Sequence, residues 1–307
     1  MKCDRCGRDA VFHQRYSGLH LCGEHLSLSL ESRAKRVIRA RGWIQQGDRI
    51  AVGLSGGFCS SSLLRFLSVH FGMRRDLTLV AITVDEGGRD MARVRGISEG
   101  LGIGWKGAAL RDLCGDLPGE TPPGGGDLPS PSSRARDRAL VTLAGQVGAT
   151  RLALGTSLDD EADSVFLHVI RGEAARLAAS PAEEGEGILF QKGPYPSRGA
   201  PAPPGTAPPP SEPGLPAGPG IPVIRPFSRV PEEEIGLFAR LNGIDFIPVE
   251  KRSSPGSIGS EAAGMLREYT RRHPSALYSL VNLGEGLAGR RDRGHAPGAH
   301  GGGTGHG

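Results

Sequence analysis

Apolar runs alternate with amphipathic segments along the middle of the chain. Three runs are short and almost continuously apolar: RIAVGL (49–54), LTLVAITV (77–84) and RLALG (151–155). Apolar residues at helical spacing follow at 60–71, 89–101, 133–148 and 159–171. Strands buried on both faces that alternate with helices are typical of a doubly wound parallel sheet, whose ligands bind at the carboxyl ends of the strands. The pattern therefore predicts an α/β, Rossmann-like fold.

Two stretches interrupt this alternation, at 115–131 and 196–222. Both are rich in proline and glycine, so we expect them to be flexible insertions. Order resumes after the second stretch, where Pro231 and the three glutamates that follow it predict a helix start, because proline suits the first turn and carboxylates suit the helix dipole. A last helix is expected at 259–273.

The chain divides into three predicted regions. Residues 1–27 form a small cysteine- and histidine-rich module, and 28–283 form the main domain, which begins with a helix at 28–42. Residues 284–307 are expected to be a disordered tail rich in glycine and histidine.

The chain carries a formal net charge of +4, and its basic residues cluster in ESRAKRVIRAR (31–41). This segment is either a solvated helix face or a basic binding face. No apolar run approaches the roughly 20 residues that span a bilayer, and the N-terminus does not look like a signal peptide, so we expect a cytoplasmic protein without membrane attachment.

Three of the five cysteines fall in the first 22 residues. Cys3-x2-Cys6 and Cys22-x2-His25 form two pairs, each spaced to hold one ion from a tight turn, which predicts a structural Zn²⁺ site. His13 and His20 compete for the fourth position. We favour His25 because it completes the second two-residue spacing.

The first strand runs into a serine–glycine turn before a helix. The turn covers Gly53, Leu54, Ser55, Gly56 and Gly57 and is followed by Cys59 and Ser60. Glycines allow the backbone to approach phosphate oxygens, and the N–H groups at a helix start attract negative charge. The turn matches neither G-x-x-x-x-G-K-[ST] nor G-x-G-x-x-G, so spacing alone leaves an ordinary tight turn as the alternative.

Four further segments give this turn a context: the cysteine and histidine module, VDEG (84–87), GTSLDDEA (155–162) and RPFSRVPEEEIGLFARLNGIDF (225–246). In this order, over about residues 1–283, the chain resembles the PP-loop ATP pyrophosphatases. It is most similar to their tRNA 2-thiolation branch, the thiouridine and thiocytidine synthases. The resemblance implies that the protein binds ATP and tRNA and adenylates a tRNA base for sulfur transfer.

The resemblance also implies roles for single residues. Ser55, Gly56, Gly57 and Ser60 would contact phosphate, within a nucleotide site that also includes Gly53, Leu54, Cys59, Val84 and Gly155. Asp159 or Asp160 would hold Mg²⁺, and Asp160 would be the catalytic residue. Arg136 falls where the family places a basic residue and is a candidate phosphate partner, although an exposed helix arginine would look the same.

The chain also departs from the family pattern. Cys59 stands where the family's loop has Asp, and Pro129 and Ser132 stand where thiolating members have the first two of three cysteines. We therefore expect no iron–sulfur cluster, because serine does not replace thiolate in one.

Two interpretations remain. The protein is a thiolation enzyme whose sulfur comes from a carrier protein or through Cys59 or Cys114, or it is a degenerate paralogue that binds nucleotide or tRNA without sulfur transfer. A small-metabolite amidotransferase is disfavoured by the zinc module. A homodimer is compatible with either interpretation.

Overall fold

The computed structural model describes residues 1–114, 131–173, 177, 220–248 and 258–293. The chain begins with an antiparallel hairpin of two short strands, β1 (Phe12–Gln14) and β2 (Leu19–Leu21). Helix α1 (Gly23–Arg41) follows, and its buried residues recur every four positions: Leu26, Leu30, Ala34 and Ile38. This spacing places them on one face of the helix, which packs onto the main domain.

Five parallel strands form the central sheet: β3 (Arg49–Gly53), β4 (Thr78–Asp85), β5 (Gly104–Ala109), β6 (Arg151–Ala153) and β7 (Val223–Ile224). They lie in the order β5-β4-β3-β6-β7. The chain leaves β3 towards one edge and later returns to β6 on its other side, so the topological switch point lies between β3 and β6. The predicted parallel, doubly wound fold is confirmed.

Helices cover both faces of the sheet. They are α2 (Phe58–Phe71), α3 (Met91–Glu99), α4 (Leu110–Cys114), α5 (Pro131–Gln146), α6 (Leu158–Arg171), α7 (Glu232–Leu241), α8 (Ile258–Arg272) and α9 (Ala276–Arg293). One core cluster joins β3 to α1, α2, α3 and α7, and a second joins the sheet to α5. The three strands predicted from apolar runs and the helices predicted after them are present, with ends shifted by a few residues.

The structure adds three features to the predictions. Strand β5 has the sequence GWKGAA, which lacks an apolar run, and β7 is only two residues long. Helix α9 continues to Arg293, beyond residue 284, where the tail was predicted to begin. Most of the two predicted insertions, at 115–130 and 196–219, lies outside the described residues. Among the helices of the described residues, none is long and apolar enough to cross a membrane.

Candidate functional site

The structure brings Cys3, Cys6, Cys22 and His25 into one cluster, with all four ligand atoms within 4.8 Å of one another. The Sγ atoms of Cys6 and Cys22 are 3.7 Å apart, and Nδ1 of His25 lies 3.3 Å from Sγ of Cys22. A tetrahedral ion with Zn–S bonds of about 2.3 Å requires sulfur–sulfur separations of about 3.8 Å. The cluster therefore has the dimensions of a closed four-ligand metal site.

The local fold explains this geometry. Cys3 and Cys6 lie in a tight turn, where the N–H groups of Cys6 and Gly7 both donate to the Cys3 carbonyl. Cys22 is the N-cap of α1, so His25 is one turn away on the same helix. Burial raises the pKa of the Cys3 thiol, but hydrogen bonds from the backbone of Cys22, Arg5 and Cys6 outweigh it and lower the pKa to about 6. A thiolate, the form that binds metal, is thereby favoured.

The two competing histidines lie outside the cluster. His13 and His20 are cross-strand partners whose rings stack with centroids 4.4 Å apart, and Nδ1 of His20 lies 3.7 Å from a carboxylate oxygen of Asp4. The choice of His25 over these two residues agrees with the geometry.

A buried carboxylate attaches this module to the main domain. Glu234 on α7 is fully buried and accepts hydrogen bonds from Gln14 and Tyr16 of the hairpin, at 3.1 and 2.8 Å, and from Arg33 on α1. The sequence suggested only a favourable dipole interaction for the three glutamates. A single buried acid that joins the hairpin, α1 and α7 was not foreseen, because its partners are far away in sequence.

The serine–glycine turn lies at the carboxyl end of β3, beside the switch point. Two serines close it: Oγ of Ser60 is 3.0 Å from Oγ of Ser55 and accepts from the Ser55 N–H at 3.2 Å. Gly56 has φ +85°, a conformation that favours glycine, whereas Gly57 is the N-cap of α2 with φ −70°. The N–H groups at the start of α2 therefore form the kind of helix terminus that binds anions.

The end of β6 packs directly on this helix start. A Cβ at Gly155 would lie 2.9 Å from the backbone of Cys59 and Ser60, and a Cβ at Gly53 would lie 2.8 Å from the Leu154 side chain. Glycine is thus required by close packing at residue 155, where the contact is with backbone, whereas at residue 53 the Leu154 side chain could move aside. This packing brings the GTSLDDEA segment to the same edge of the sheet as the serine–glycine turn (residues 53–57), the candidate phosphate loop, as the resemblance implied.

The two predicted metal-binding acids cap helices in this structure. Oδ2 of Asp160 accepts from the N–H and the hydroxyl of Ser157, at 2.9 and 2.7 Å, in a capping box at the start of α6. Oδ2 of Asp159 accepts from the N–H of Glu232 at 2.7 Å, at the start of α7. Both acids therefore have a structural role, whatever else they bind.

A group of charged residues surrounds these ends of the strands. Arg136 on α5 lies 3.5 Å from Glu86, just after β4, so the structure places it at the predicted edge. Its neighbour Asp137 is largely buried, which raises the pKa of its carboxyl to about 6 although Arg136 and Arg225 lower it. Burial raises the pKa of Glu161 to about 7 against the effect of Arg225, whose Nε lies 3.5 Å from Oε1 of Glu161.

Three other predicted site residues have limited access. The side chains of Leu54 and Val84 are buried in the two core clusters, so any contact of these residues with a nucleotide would use their backbone. Cys59 is half-buried at the start of α2. Of the two positions where the resemblance implied cysteines, Pro129 lies outside the described residues, and only the backbone of Ser132, in α5, is described.

Arg89 is a site residue that the sequence analysis missed. It follows β4, and one of its terminal nitrogens donates a hydrogen bond to the Ser55 carbonyl within the phosphate loop. Its Nε is buried and has no hydrogen-bond partner among the described residues. An arginine four residues beyond a strand end was the available signal, since such positions face the ligand edge of a parallel sheet.

Comparisons with known proteins find similarity both in the N-terminal module and along almost the whole chain. Residues 2–27 match the family model described as the 2-thiouridine synthetase TtuA, N-terminal LIM domain. The chain is 29% identical to tRNA 2-thiolation protein NcsA of Haloferax volcanii, over 94% of this chain and 87% of that protein. It is also 29% identical to cytoplasmic tRNA 2-thiolation protein 1 of Bos taurus, over 94% of this chain and 78% of that one.

A solved structure shares the fold. It is the U34-tRNA thiolase NcsA from Methanococcus maripaludis with its [4Fe-4S] cluster, with a TM-score of 0.70 and 23% identity over 97% of this chain and 89% of that one. The fold is PP-loop ATP pyrophosphatase-like. The resemblance to the tRNA 2-thiolation branch is confirmed: the chain carries the TtuA-type N-terminal domain and is a homologue of the tRNA 2-thiolation proteins. The expectation of no iron–sulfur cluster gains no support from this relative.

Proposed function

We propose that this protein acts in the 2-thiolation of tRNA and binds ATP at the phosphate loop. The observation that carries the proposal is the serine–glycine loop at the switch point of a parallel sheet, in a chain whose relatives along almost its whole length are named tRNA 2-thiolation proteins. ATP, when bound, would supply the adenylyl group that activates the oxygen of a tRNA base for replacement by sulfur.

The residues of the loop fit a triphosphate. The N–H groups of Gly56 and Gly57 at the start of α2 would bind phosphate oxygens, the second in exchange for its 3.3 Å hydrogen bond to Ser55 Oγ, and these donors do not depend on side chains. Arg89 would add a positive charge beside Ser55, and Arg136 would add another from α5. The loop thus retains the backbone part of a nucleotide site although Cys59 replaces the expected aspartate.

Two different metals belong to the proposal. Zn²⁺ at Cys3, Cys6, Cys22 and His25 would hold the N-terminal module together, because two thiolate pairs of this spacing suit tetrahedral coordination. Mg²⁺ would be bound by Asp159 or Asp160 together with the phosphates, since hard cations prefer carboxylate and phosphate oxygens. Both acids cap helices in this structure. Each would therefore have to bind Mg²⁺ while it keeps its capping hydrogen bond, or give up that hydrogen bond for the ion.

Sulfur would come from a carrier protein or pass through Cys59 or Cys114. A non-catalytic role, in which the chain binds nucleotide or tRNA for another enzyme, is the second candidate. The specific observation in its favour is the engagement of Asp159 and Asp160 in caps beside a loop that lacks the family's carboxylate. Homodimer formation stays a prediction.

Titration calorimetry with ATP and Mg²⁺ tests the nucleotide site. A valine at Gly57 keeps an allowed φ but covers the N–H groups, so Gly57→Val should abolish ATP binding while the melting temperature is retained. Gly264→Val is the matched control, because Gly264 is exposed on α8 with open space around its Cα. Cys59→Asp should strengthen Mg²⁺-dependent binding. Absence of ATP binding both in the native chain and in Cys59→Asp would refute the site.

Nucleoside mass spectrometry of tRNA from a deletion strain tests the biological role. Loss of one thiolated nucleoside, restored by the native gene, is the expected result and identifies the base. Rescue by the native chain but not by Gly57→Val would assign the role to the ATP site. Rescue by both would favour the non-catalytic candidate.

A further inference from the structure

A pocket of about 370 Å³ opens between α1 and α9. Its floor comes from the loop after β7 and from Glu161, and none of the phosphate-loop residues is among the described residues that line it. One wall is the basic segment 31–41, whose role the sequence left undecided between a solvated face and a binding face. The pocket therefore gives this segment a specific concave surface, separate from the proposed ATP site.

Most charges around the pocket are already paired. Arg33 is bound to the buried Glu234, and the two carboxylate oxygens of Glu285 pair with Arg229 and with Arg41, the latter at 3.2 Å. Glu161 lies in ion-pair range of Arg225 at 3.5 Å. Glu285 is thereby paired, whereas Glu161 has an arginine within ion-pair range but no hydrogen bond to its buried Oε1 from the described residues.

Two positive charges of the lining arginines are left over, because Glu285 pairs with two arginines and Arg36 has no acidic partner among the described residues. Arg36 is exposed on α1, lines the pocket and makes no ion pair or hydrogen bond with any of the described residues. Because arginine is always protonated near neutral pH, the pocket carries a net positive charge that an anionic ligand would satisfy. Arg41, one and a half turns further along the same helix, could contribute a second guanidinium at the rim.

Part of the lining of the pocket is apolar. Val37, Trp43 and Val281 line it, and Trp43 is half-buried so that part of its indole remains accessible. A volume of this size falls in the range of small-molecule sites, roughly 300–1,000 Å³, and a bare phosphate would leave most of it empty. A ligand that joins an anionic group to a flat, apolar body would contact both the arginines and the apolar residues of the lining, because bases stack on tryptophan and phosphates pair with arginine.

We propose that this pocket binds one nucleotide unit, with its phosphate at Arg36 and Arg41 and its base against Trp43. The unit is either a free mononucleotide or one residue of an RNA strand. The use of tRNA as the second probe rests on the proposed function, whereas the assignment of the pocket as a nucleotide site does not.

Fluorescence titration of the full-length chain tests the proposal, with AMP as one probe and tRNA as the other. The chain has two tryptophans, so a Trp105→Phe background leaves Trp43 as the only emitter, and stacking of a base should quench it. The Gly57→Val change is added in a parallel series, so that any signal from the phosphate loop is excluded. Arg36→Ala and Ala40→Phe are the test variants, the second because Ala40 is an exposed residue of the pocket wall.

Arg39→Ala is the matched control, because Arg39 is exposed on the same helix but is not among the lining residues. Loss of a charged hydrogen bond typically weakens binding about tenfold or more. We expect Arg36→Ala and Ala40→Phe to weaken binding by at least this factor, and Arg39→Ala to change it by about twofold or less. Melting curves of all three variants verify that they are folded.

The two probes separate the sources. Weakening of AMP binding alone would identify a free mononucleotide, and weakening of tRNA binding, with or without an effect on AMP, would identify a nucleotide of the RNA. The proposal is overturned if Arg36→Ala and Ala40→Phe bind both probes as Arg39→Ala does. Such a result would leave the ATP site untouched, since Gly57→Val reports on that site independently.

Discussion

The metal cluster and the phosphate loop are both built at the N-terminus of a helix, but they depend on different parts of the chain. Cys22 precedes α1 and Gly57 precedes α2, and neither makes a side-chain cap. The cluster would hold a cation with four side chains, so one substitution would remove a ligand. The loop presents backbone N–H groups, so it keeps its geometry even where Cys59 replaces an acid. A single substitution can therefore abolish the first site, whereas the second site tolerates changes of its side chains.

Removal of the metal should have the largest effect. Structural zinc contributes on the order of 10 kcal/mol to the folding of small modules, and the module here has only a short hairpin besides the cluster. We expect the Cys3→Ser/Cys22→Ser double variant to lose about one Zn²⁺ per chain and to unfold residues 1–27. The measurement is metal analysis with hydrogen exchange, in a background where His295, His300 and His306 are changed to alanine.

Cys59→Ser is the control for the metal experiment. Cys59 lies outside the cluster, so its substitution should leave the metal content unchanged. Zinc that is undisturbed by the double variant, or substoichiometric in the native chain, would show that the four residues do not form the site.

A smaller effect is expected from the titration of the Asp137 carboxyl. It tests how strongly the carboxyl ends of the strands, where the phosphate loop lies, are shielded from water. Its folded pKa of about 6 lies above the unfolded value of 3.8, so the folded state binds more protons between these values. Stability should consequently fall as pH rises from about 4 to 6, by about 3 kcal/mol at about 1.4 kcal/mol per pKa unit.

Asp137→Asn removes this titration. Urea unfolding of the native chain and of the variant at pH 4 and pH 7 measures the difference between their free energies of unfolding. We expect the variant to gain up to about 3 kcal/mol relative to the native chain over this range. Parallel pH dependence of the two proteins would mean that Asp137 is solvated and that the edge is open to water.

Local spacing explains why the sequence could predict that Cys3, Cys6, Cys22 and His25 lie together. Cys3-x2-Cys6 and Cys22-x2-His25 each lie within one turn, so their geometry is set by neighbouring residues. The strands and helices around the loop were also predicted, because buried parallel strands have continuous apolar sequences. Strand β5 was missed since GWKGAA pairs along β4 without such a run.

The contacts that complete the phosphate edge could not be predicted, because they join residues far apart in sequence. Asp159 caps the helix that begins at Glu232, Glu234 binds Gln14 and Arg33, and Arg89 reaches Ser55. Each partner is identified only by the tertiary fold. A pair of acids in the first turn of a helix is equally typical of a metal site and of helix caps, and the structure shows that capping is at least one of their roles.

The Arg89 contact gives the smallest and most specific prediction, since it adds a side chain to a site that otherwise uses the backbone. Its guanidinium is held against the loop by the Ser55 carbonyl, and its buried Nε has no described partner, so a bound phosphate would supply one. Arg89→Ala should weaken ATP binding about tenfold, the usual effect of one charged hydrogen bond, and Arg89→Lys should retain part of it. Arg95→Ala, which removes an exposed arginine paired with Glu99 on α3, is the control. If calorimetry finds equal affinities for Arg89→Ala and Arg95→Ala, the loop binds phosphate through its backbone without help from Arg89.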